Sequence, residues 1–159
     1  MQLDRIDYGI IEALQNDGRL SNKELASRVG LAPSSCLERV RKLEAGGVIE
    51  GYHARVSPEA MGIHLEAVVY VRLASHTPAE SRQFEERLAG FPEVVSMFNV
   101  AGRWDYLVHV AVPSVLQLQA FTQEALTSWP AVSRVETSLV FEHRRTVKLQ
   151  SWQVPKLRE

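Results

Sequence analysis

The sequence predicts an α+β protein of two parts, and the spacing of its apolar residues carries this prediction. In residues 1–50 apolar side chains recur at helical spacing, whereas after residue 63 they alternate as they do in β-strands. The stretch "SPEAMG" between the two patterns is typical of a linker. We therefore expect one domain over residues 1–52, a linker or strand over 53–62, and a second domain over 63–159.

Composition limits the possible functions. The 159-residue chain is 45% hydrophobic and 23% charged, which is typical of a packed core rather than of disorder. No stretch approaches the length of a membrane span, the first residues lack the zones of a secretory signal, and there is one cysteine, so we expect a cytoplasmic protein. Residues 1–60 hold 8 basic and 9 acidic side chains, so contact with nucleic acid must depend on where the charges lie.

Three short helices are predicted in the first domain. Asp4 is placed to cap the first helix, which the turn "NDG" ends. Ser21 and Glu24 form a capping box for the second helix, and Gly30 ends it. A very short connection leads to Pro33, which suits the first position of a third helix. The stretch "VIEGYHARV" that follows alternates enough to predict a small two-stranded wing.

Two helices joined by a tight turn after a glycine, with a wing behind them, indicate a winged helix-turn-helix. The polar face of the third helix carries short polar side chains that can reach base edges and basic side chains that can bind phosphates. The candidates are Ser34, Ser35 and Glu38 for the base edges, and Arg39, Arg41 and Lys42 for the phosphates. The alternative is the solvated face of an ordinary three-helix bundle.

The second domain is predicted to follow the order β-α-β-β-α-β, which is the ferredoxin-like arrangement. The stretches "LEAVVYVRL", "VVSMFNVA", "YLVHVAV" and "VSRVETSLVF" are typical of strands, and "TPAE" opens a helix with a second capping box. Both helices then cover one face of the sheet, so the other face needs a cover, for which a second copy of the chain is the obvious candidate. The tail from His143 is predicted to add an edge strand.

Together these parts resemble the Lrp/AsnC (feast/famine) family of prokaryotic transcription regulators. The similarity lies in "LDRIDYGIIEALQNDGRLSNKELASRVGL", "LERVRKLEAGGVIEGY", "VAGRWDYLVHV" and "VETSLVF", and it extends over nearly the whole chain. One departure is Ala32, where family members often have serine, because an alanine side chain cannot cap a helix and this costs roughly 1 kcal/mol. The resemblance implies a DNA-binding head and a regulatory domain that forms dimers, often octamers, with an amino acid bound between subunits.

The resemblance places that amino acid near the turn that contains Gly102 and Asp105. Asp105 is suited to accept from the ligand's amine, and backbone N–H groups near Gly102 are suited to bind its carboxylate. Thr137 and Ser138 on the last strand add candidate hydroxyl contacts. The alternatives are a plain hairpin turn for the first pair and ordinary strand alternation for the second.

No catalytic or metal chemistry is predicted. The histidines, which are His53, His64, His76, His109 and His143, have no metal-ligand spacing, and no nucleophile–base motif or phosphate loop is present. Cys36 lies on the core side of the third helix.

The leading hypothesis is a sequence-specific DNA-binding regulator without a cofactor, whose assembly or DNA affinity responds to an amino acid. Its expected partners are double-stranded DNA, the amino acid and further copies of itself, and no membrane. The alternatives are a ferredoxin-like dimeric enzyme and an architectural DNA-binding protein that binds no ligand.

Overall fold

The computed structural model describes residues 2–144 and 148–149, and the chain divides into two compact units. The head is Met1–Arg55 with Arg144–Glu159, and the sheet unit is Val56–His143. Among the described residues no helix is both long enough and apolar enough to cross a membrane. The edge strand predicted for the tail falls largely on residues outside the described ranges.

Three helices form the head: α1 (Arg5–Asn16), α2 (Asn22–Val29) and α3 (Pro33–Ala45). The predicted caps are confirmed at the first two. The Asp4 side chain accepts from backbone N–H groups of the first turn of α1, and Ser21 and Glu24 form a capping box at α2. These polar groups satisfy backbone donors that the start of a helix leaves without partners inside the helix.

The head has a small apolar core. Its buried members are Ile10, Leu25, Ala26, Cys36 and Leu43. Cys36 is fully buried, and burial raises the pKa of its thiol, so the side chain acts as a small hydrophobic residue rather than as a nucleophile. The prediction that Cys36 faces the core is therefore confirmed.

The predicted two-stranded wing is wrong, because residues 48–56, all of them described, contain no strand. The N–H of Ile49 instead donates to the Leu43 carbonyl at 3.2 Å, which turns the chain back at the end of α3. The Tyr52 hydroxyl then donates to Glu44 of α3 at 3.1 Å. These contacts join the start of the segment to α3.

The sheet unit contains β1 (Leu65–Leu73), α4 (Pro78–Ala89), β2 (Val94–Asn99), β3 (Tyr106–Val112), α5 (Val115–Phe121) and β4 (Val132–Val140). A π-helical stretch, Thr122–Thr127, extends α5. The sheet order is β2-β3-β1-β4 and every neighbouring pair is antiparallel. The α+β class and the β-α-β-β-α-β order are therefore confirmed.

The two faces of this sheet differ. One face packs against α4 and α5 in a core of 14 buried side chains, which includes Val69, Phe84 and Val108. The other, which we call the open face, carries the alternate residues of each strand, and neither α4 nor α5 lies over it. Leu107 on the open face is half-buried, and its strand partner Phe98 is 58% exposed.

Candidate DNA interface and effector site

The position of α3 is set by a short turn after α2. Gly30 adopts a left-handed conformation (φ 71°), which a glycine reaches without strain, and the N–H of Leu31 closes the turn on the Ala26 carbonyl at 2.9 Å. Pro33 opens α3, and the Asn22 side chain donates to its carbonyl at 2.8 Å. Asn22 thus ties the start of α2 to the start of α3, a role that no local sequence motif indicates.

The face predicted to bind DNA is exposed. The side chains concerned are Ser34, Ser35, Glu38, Arg41 and Lys42. Lys42 pairs with Glu38 at 2.7 Å, and this hydrogen bond lowers the pKa of Glu38. Arg41 has no ion-pair partner within the described part of the chain, so its charge is available to a phosphate.

Arg39 was predicted to bind phosphate, and the structure gives it a different role. Its Nη1 lies 2.7 Å from Oδ2 of Asp4 and 2.8 Å from Oδ1 of Asp7. The hydrogen bond to Asp7 raises the pKa of Arg39 most, and the one to Asp4 raises it further. Two carboxylates thus compensate the guanidinium, and Arg39 joins α3 to the start of α1. No local pattern indicates this pairing, because the partners lie 32 and 35 residues away along the chain.

The turn predicted to bind the effector connects β2 to β3. Gly102 has a φ of 125°, and a Cβ built there would contact nothing within 4 Å, so backbone strain rather than crowding favours glycine. Trp104 packs on the open face, with its ring centroid 5.9 Å from that of Tyr70. The guanidinium groups of Arg103 and Arg134 lie 5.3 Å and 5.4 Å from the centroid of the Trp104 ring. Such contacts are attractive and order the turn.

Asp105 is tied to the end of β1. Its N–H donates to the Val71 carbonyl at 2.9 Å, and its Oδ2 accepts the N–H of Leu73 at 2.8 Å. Oδ1 lies 3.4 Å from Nδ1 of His76. One carboxylate oxygen thus accepts from the backbone, and the other lies beside His76.

The four residues predicted for the effector do not form one cluster within a chain. Thr137 pairs with Val69 and Ser138 pairs with Val68, so β1 separates both from the turn before β3. Neighbouring residues of a strand also point to opposite faces, which places only Ser138 on the open face. Within one chain Thr137 and Ser138 therefore do not join the turn, and their contacts to an effector bound between subunits stay a prediction.

A helix-turn-helix joined to a ferredoxin-like domain with an open sheet face defines a class, the DNA-binding regulators with a separate regulatory domain. The family model for the Lrp/AsnC ligand binding domain matches residues 66–151, and the winged helix-turn-helix DNA-binding model matches residues 3–50. The chain belongs to the Lrp/AsnC family of transcription regulators, as the resemblance in the sequence indicated.

Individual relatives agree with this assignment. The chain is 39% identical over 143 residues to the HTH-type transcriptional regulator AldR of Mycolicibacterium smegmatis, covering 90% of this chain and 84% of that protein. It is 40% identical over 139 residues to the leucine-responsive regulatory protein of Rhizobium meliloti, covering 87% and 89%. A transcriptional regulator from Neisseria meningitidis, solved as an L-Met complex, is similar with a TM-score of 0.83, at 32% identity and 97% coverage of both chains. These relatives are transcription regulators and lend no support to an enzyme.

Proposed function

We propose that this chain binds specific sequences of duplex DNA through α3, in the cytoplasm, and that a bound amino acid modulates this binding. The observation that carries the DNA interface is the exposed polar face of α3. Its helix is fixed from behind by the Arg39 ion pairs and from its start by Asn22. A rigid helix with a polar outer face can enter the major groove without first having to order itself.

The basic side chains and the hydroxyl groups of α3 have different roles in DNA binding. Arg41 binds phosphate, as does Lys42 once it exchanges Glu38 for the DNA backbone. Ser34 and Ser35 lie in the first turn of α3, where a recognition helix contacts base edges. Phosphate contacts supply affinity for any sequence, whereas contacts to base edges supply preference.

Fluorescence anisotropy tests these separate roles by comparing binding to the DNA upstream of the protein's own gene with binding to a random duplex. Arg41→Ala is expected to weaken binding to both duplexes alike and to reduce the salt slope by about 1. Ser35→Ala is expected to change base preference instead. Arg82→Ala, which removes an exposed charge from α4, is the matched control. Equal affinity of the unaltered protein for both duplexes at physiological salt would contradict specific binding.

We further propose that a second copy of the chain covers the open face. The support is the incomplete cover of the sheet and the exposure of Phe98 beside Leu107. A two-fold dimer would bind inverted half-sites about one helical turn apart, or a multiple of that distance. A chain that starts at Ile63 should sediment as a dimer or larger, and Leu107→Glu should reduce its self-association. A folded monomer at micromolar concentration would refute this interface.

The effector proposal rests on the turn at Gly102 and Asp105 and on the relative that was solved with L-Met. Oδ1 of Asp105 accepts a hydrogen bond from the amine of the amino acid, and backbone N–H groups of the turn donate to its carboxylate. Since the hydroxyl groups of β4 lie across β1, Ser138 can join this site only from another copy. A ligand held by two copies favours the assembled state, and that difference in affinity couples the ligand to DNA binding.

A thermal-shift screen of the free amino acids identifies the effector, since binding to the native state raises its stability. Calorimetric titration then compares Asp105→Asn with Asp105→Ala. Asparagine keeps an oxygen for the Leu73 N–H and loses only the charge, whereas alanine also leaves that partly buried donor without its acceptor, at a cost of about 1–3 kcal/mol. Both variants should bind the effector more weakly, and only alanine should destabilise the sheet unit. If Asp105→Asn binds as tightly as the unaltered protein, the site lies elsewhere.

A further inference from the structure

Three potential metal ligands from distant parts of the sequence meet at the open face of the sheet unit. Glu66 lies on β1, His109 on β3, and His143 follows the end of β4. One ligand atom from each side chain lies within 4.8 Å of the other two. Spacing along the chain cannot reveal such a set, because 43 residues separate the first two ligands and 77 separate the first from the third.

The geometry of this cluster is close to that of a metal centre. Nε2 of His109 lies 2.7 Å from Oε2 of Glu66, and Nδ1 of His143 lies 3.4 Å from the same oxygen. Ligand bonds of about 2.0–2.1 Å to a tetrahedral ion place donor atoms roughly 3.3 Å apart. The two imidazoles therefore need to approach each other by at most about 1.5 Å. The rings already meet edge to face, with centroids 5.2 Å apart.

We propose that Glu66, His109 and His143 form a binding site for a divalent transition-metal ion, with Zn²⁺ as the ion that fits best. Two imidazole nitrogens and one carboxylate oxygen are a donor set that zinc uses in proteins. His109 and Glu66 expose 13% and 23% of their side chains, so two ligands are preset by the sheet. His143 exposes 47%, which leaves its ring free to rotate onto an ion.

An ion at this position would fasten the segment after β4 to the middle of the sheet. His143 is the last residue of the sheet unit, and without the ion it is held to Glu66 only by a long contact. Three protein ligands leave a fourth position for water or for a group from a second copy, and in either case one ion per chain is expected. The site shares no residue with α3 or with the turn at Gly102, so it would add a metal response to the regulator.

Calorimetric titration of the chelator-stripped, full-length protein with Zn²⁺ is the first test. We expect one ion per chain and a melting temperature raised by about 5–10 °C at free Zn²⁺ a hundredfold above its Kd. The d–d absorption of bound Co²⁺ gives a second readout, because its intensity reports four-coordination. If the unaltered protein binds neither ion, the cluster is held by hydrogen bonds alone and the proposal fails.

Variants locate the ion. His143→Gln removes an exposed ligand and should lower Zn²⁺ affinity at least about tenfold to a hundredfold without unfolding the protein. Glu66→Gln keeps an oxygen for the hydrogen bond to His109 but removes the charge, so it should lose Zn²⁺ while the apoprotein keeps its melting temperature. His53→Gln, an exposed histidine of the head, is the matched control. Binding that is as tight in His143→Gln and Glu66→Gln as in the control would place the ion elsewhere and overturn the proposal.

Discussion

The head and the sheet unit differ in the size of their apolar cores. Among the described residues, five buried apolar side chains form the core of the head, whereas 14 form the core of the sheet unit. Polar contacts at helix ends add to this small core in the head, where Asp4 both caps α1 and pairs with Arg39. The sheet unit has polar contacts of the same kind, such as the capping box of Thr77 and Glu80 at α4, so the two units differ chiefly in the size of their apolar cores.

This difference matters for function, because the surface that meets DNA belongs to the less strongly packed unit. Buried apolar area is the main source of stability, and exposed ion pairs contribute little each. Local opening is accordingly expected in the head before the sheet unit. The predictions that follow test this contrast, beginning with the largest effect.

Phe84→Ala is expected to have the largest effect. Phe84 is fully buried and packs 4.6 Å from the Tyr106 ring and 5.6 Å from the Trp129 ring, measured between centroids. Its removal should lower the free energy of unfolding of the sheet unit by about 3–5 kcal/mol. Urea unfolding followed by tryptophan fluorescence in a Trp152→Phe background measures this, since Trp104 and Trp129 then report on the sheet unit. Hydrogen exchange of the α1–α3 amides should stay unchanged, and faster exchange there would show that the two units unfold together.

Leu43→Ala is the corresponding change in the head. Leu43 is 1% exposed, and its truncation should cost about 2–5 kcal/mol, toward the lower end because a small core has many surface neighbours that can collapse onto the gap. Hydrogen exchange of α1–α3 should accelerate while the tryptophan transition keeps its midpoint. Leu37→Ala on the same helix is the matched control, because Leu37 is 39% exposed. Equal acceleration in both variants would contradict the small buried core.

Sequence periodicity predicted the fold well, because each helix and strand has its own local sequence pattern. Capping boxes mark the starts of α2 and α4, and the alternation around Val69 and Val108 gives the buried face of the sheet. The wing was mispredicted because "VIEGYHARV" alternates as a strand would. The segment instead contacts α3 through Tyr52 and Glu44, and no local pattern contains this tertiary contact.

The candidate sites were predicted less completely, for the same reason. Residues on one helix face, such as Ser35 and Arg41, can be identified from spacing alone. The pairing of Arg39 with Asp7 and the cluster around His109 join elements far apart in sequence. The positions of Thr137 and Ser138 on either side of β4 follow from strand register, which the sequence leaves open.

Ala32→Ser tests the contrast between the two units by adding a polar contact to the head instead of removing an apolar one. Ala32 occupies the N-cap of α3 with φ −66° and ψ 143°, close to the conformation in which Ser21 caps α2, and it makes no side-chain capping bond. A serine hydroxyl there should stabilise the head by about 0.5–2 kcal/mol. Slower hydrogen exchange in α3 is the expected result. Ala45→Ser at the other end of α3 is the control, since no unpaired N–H awaits it, and an equal gain in both variants would refute the capping explanation.

Acid should weaken the caps of the head helices, with the smallest effect of the series. Hydrogen bonds from Asp7's backbone and from Arg39 lower the pKa of Asp4, and those from Ser21 lower the pKa of Glu24, from ordinary values of 3.8 and 4.5. Because the folded pKa is the lower one, each carboxylate stabilises the head fully above its ordinary pKa, and this stability is lost as the pH falls through the folded pKa. Exchange of the head amides, corrected for intrinsic rates, should thus begin to accelerate below about pH 4.5, before tryptophan fluorescence reports on the sheet unit. The effect should be modest because both carboxylates are exposed. Glu24→Gln, which can still accept from the Ser21 N–H, should flatten the acid dependence of α2. An unchanged dependence in this variant would contradict the assignment of the acid effect to the cap of α2, and loss of both units in one step would contradict the earlier opening of the head.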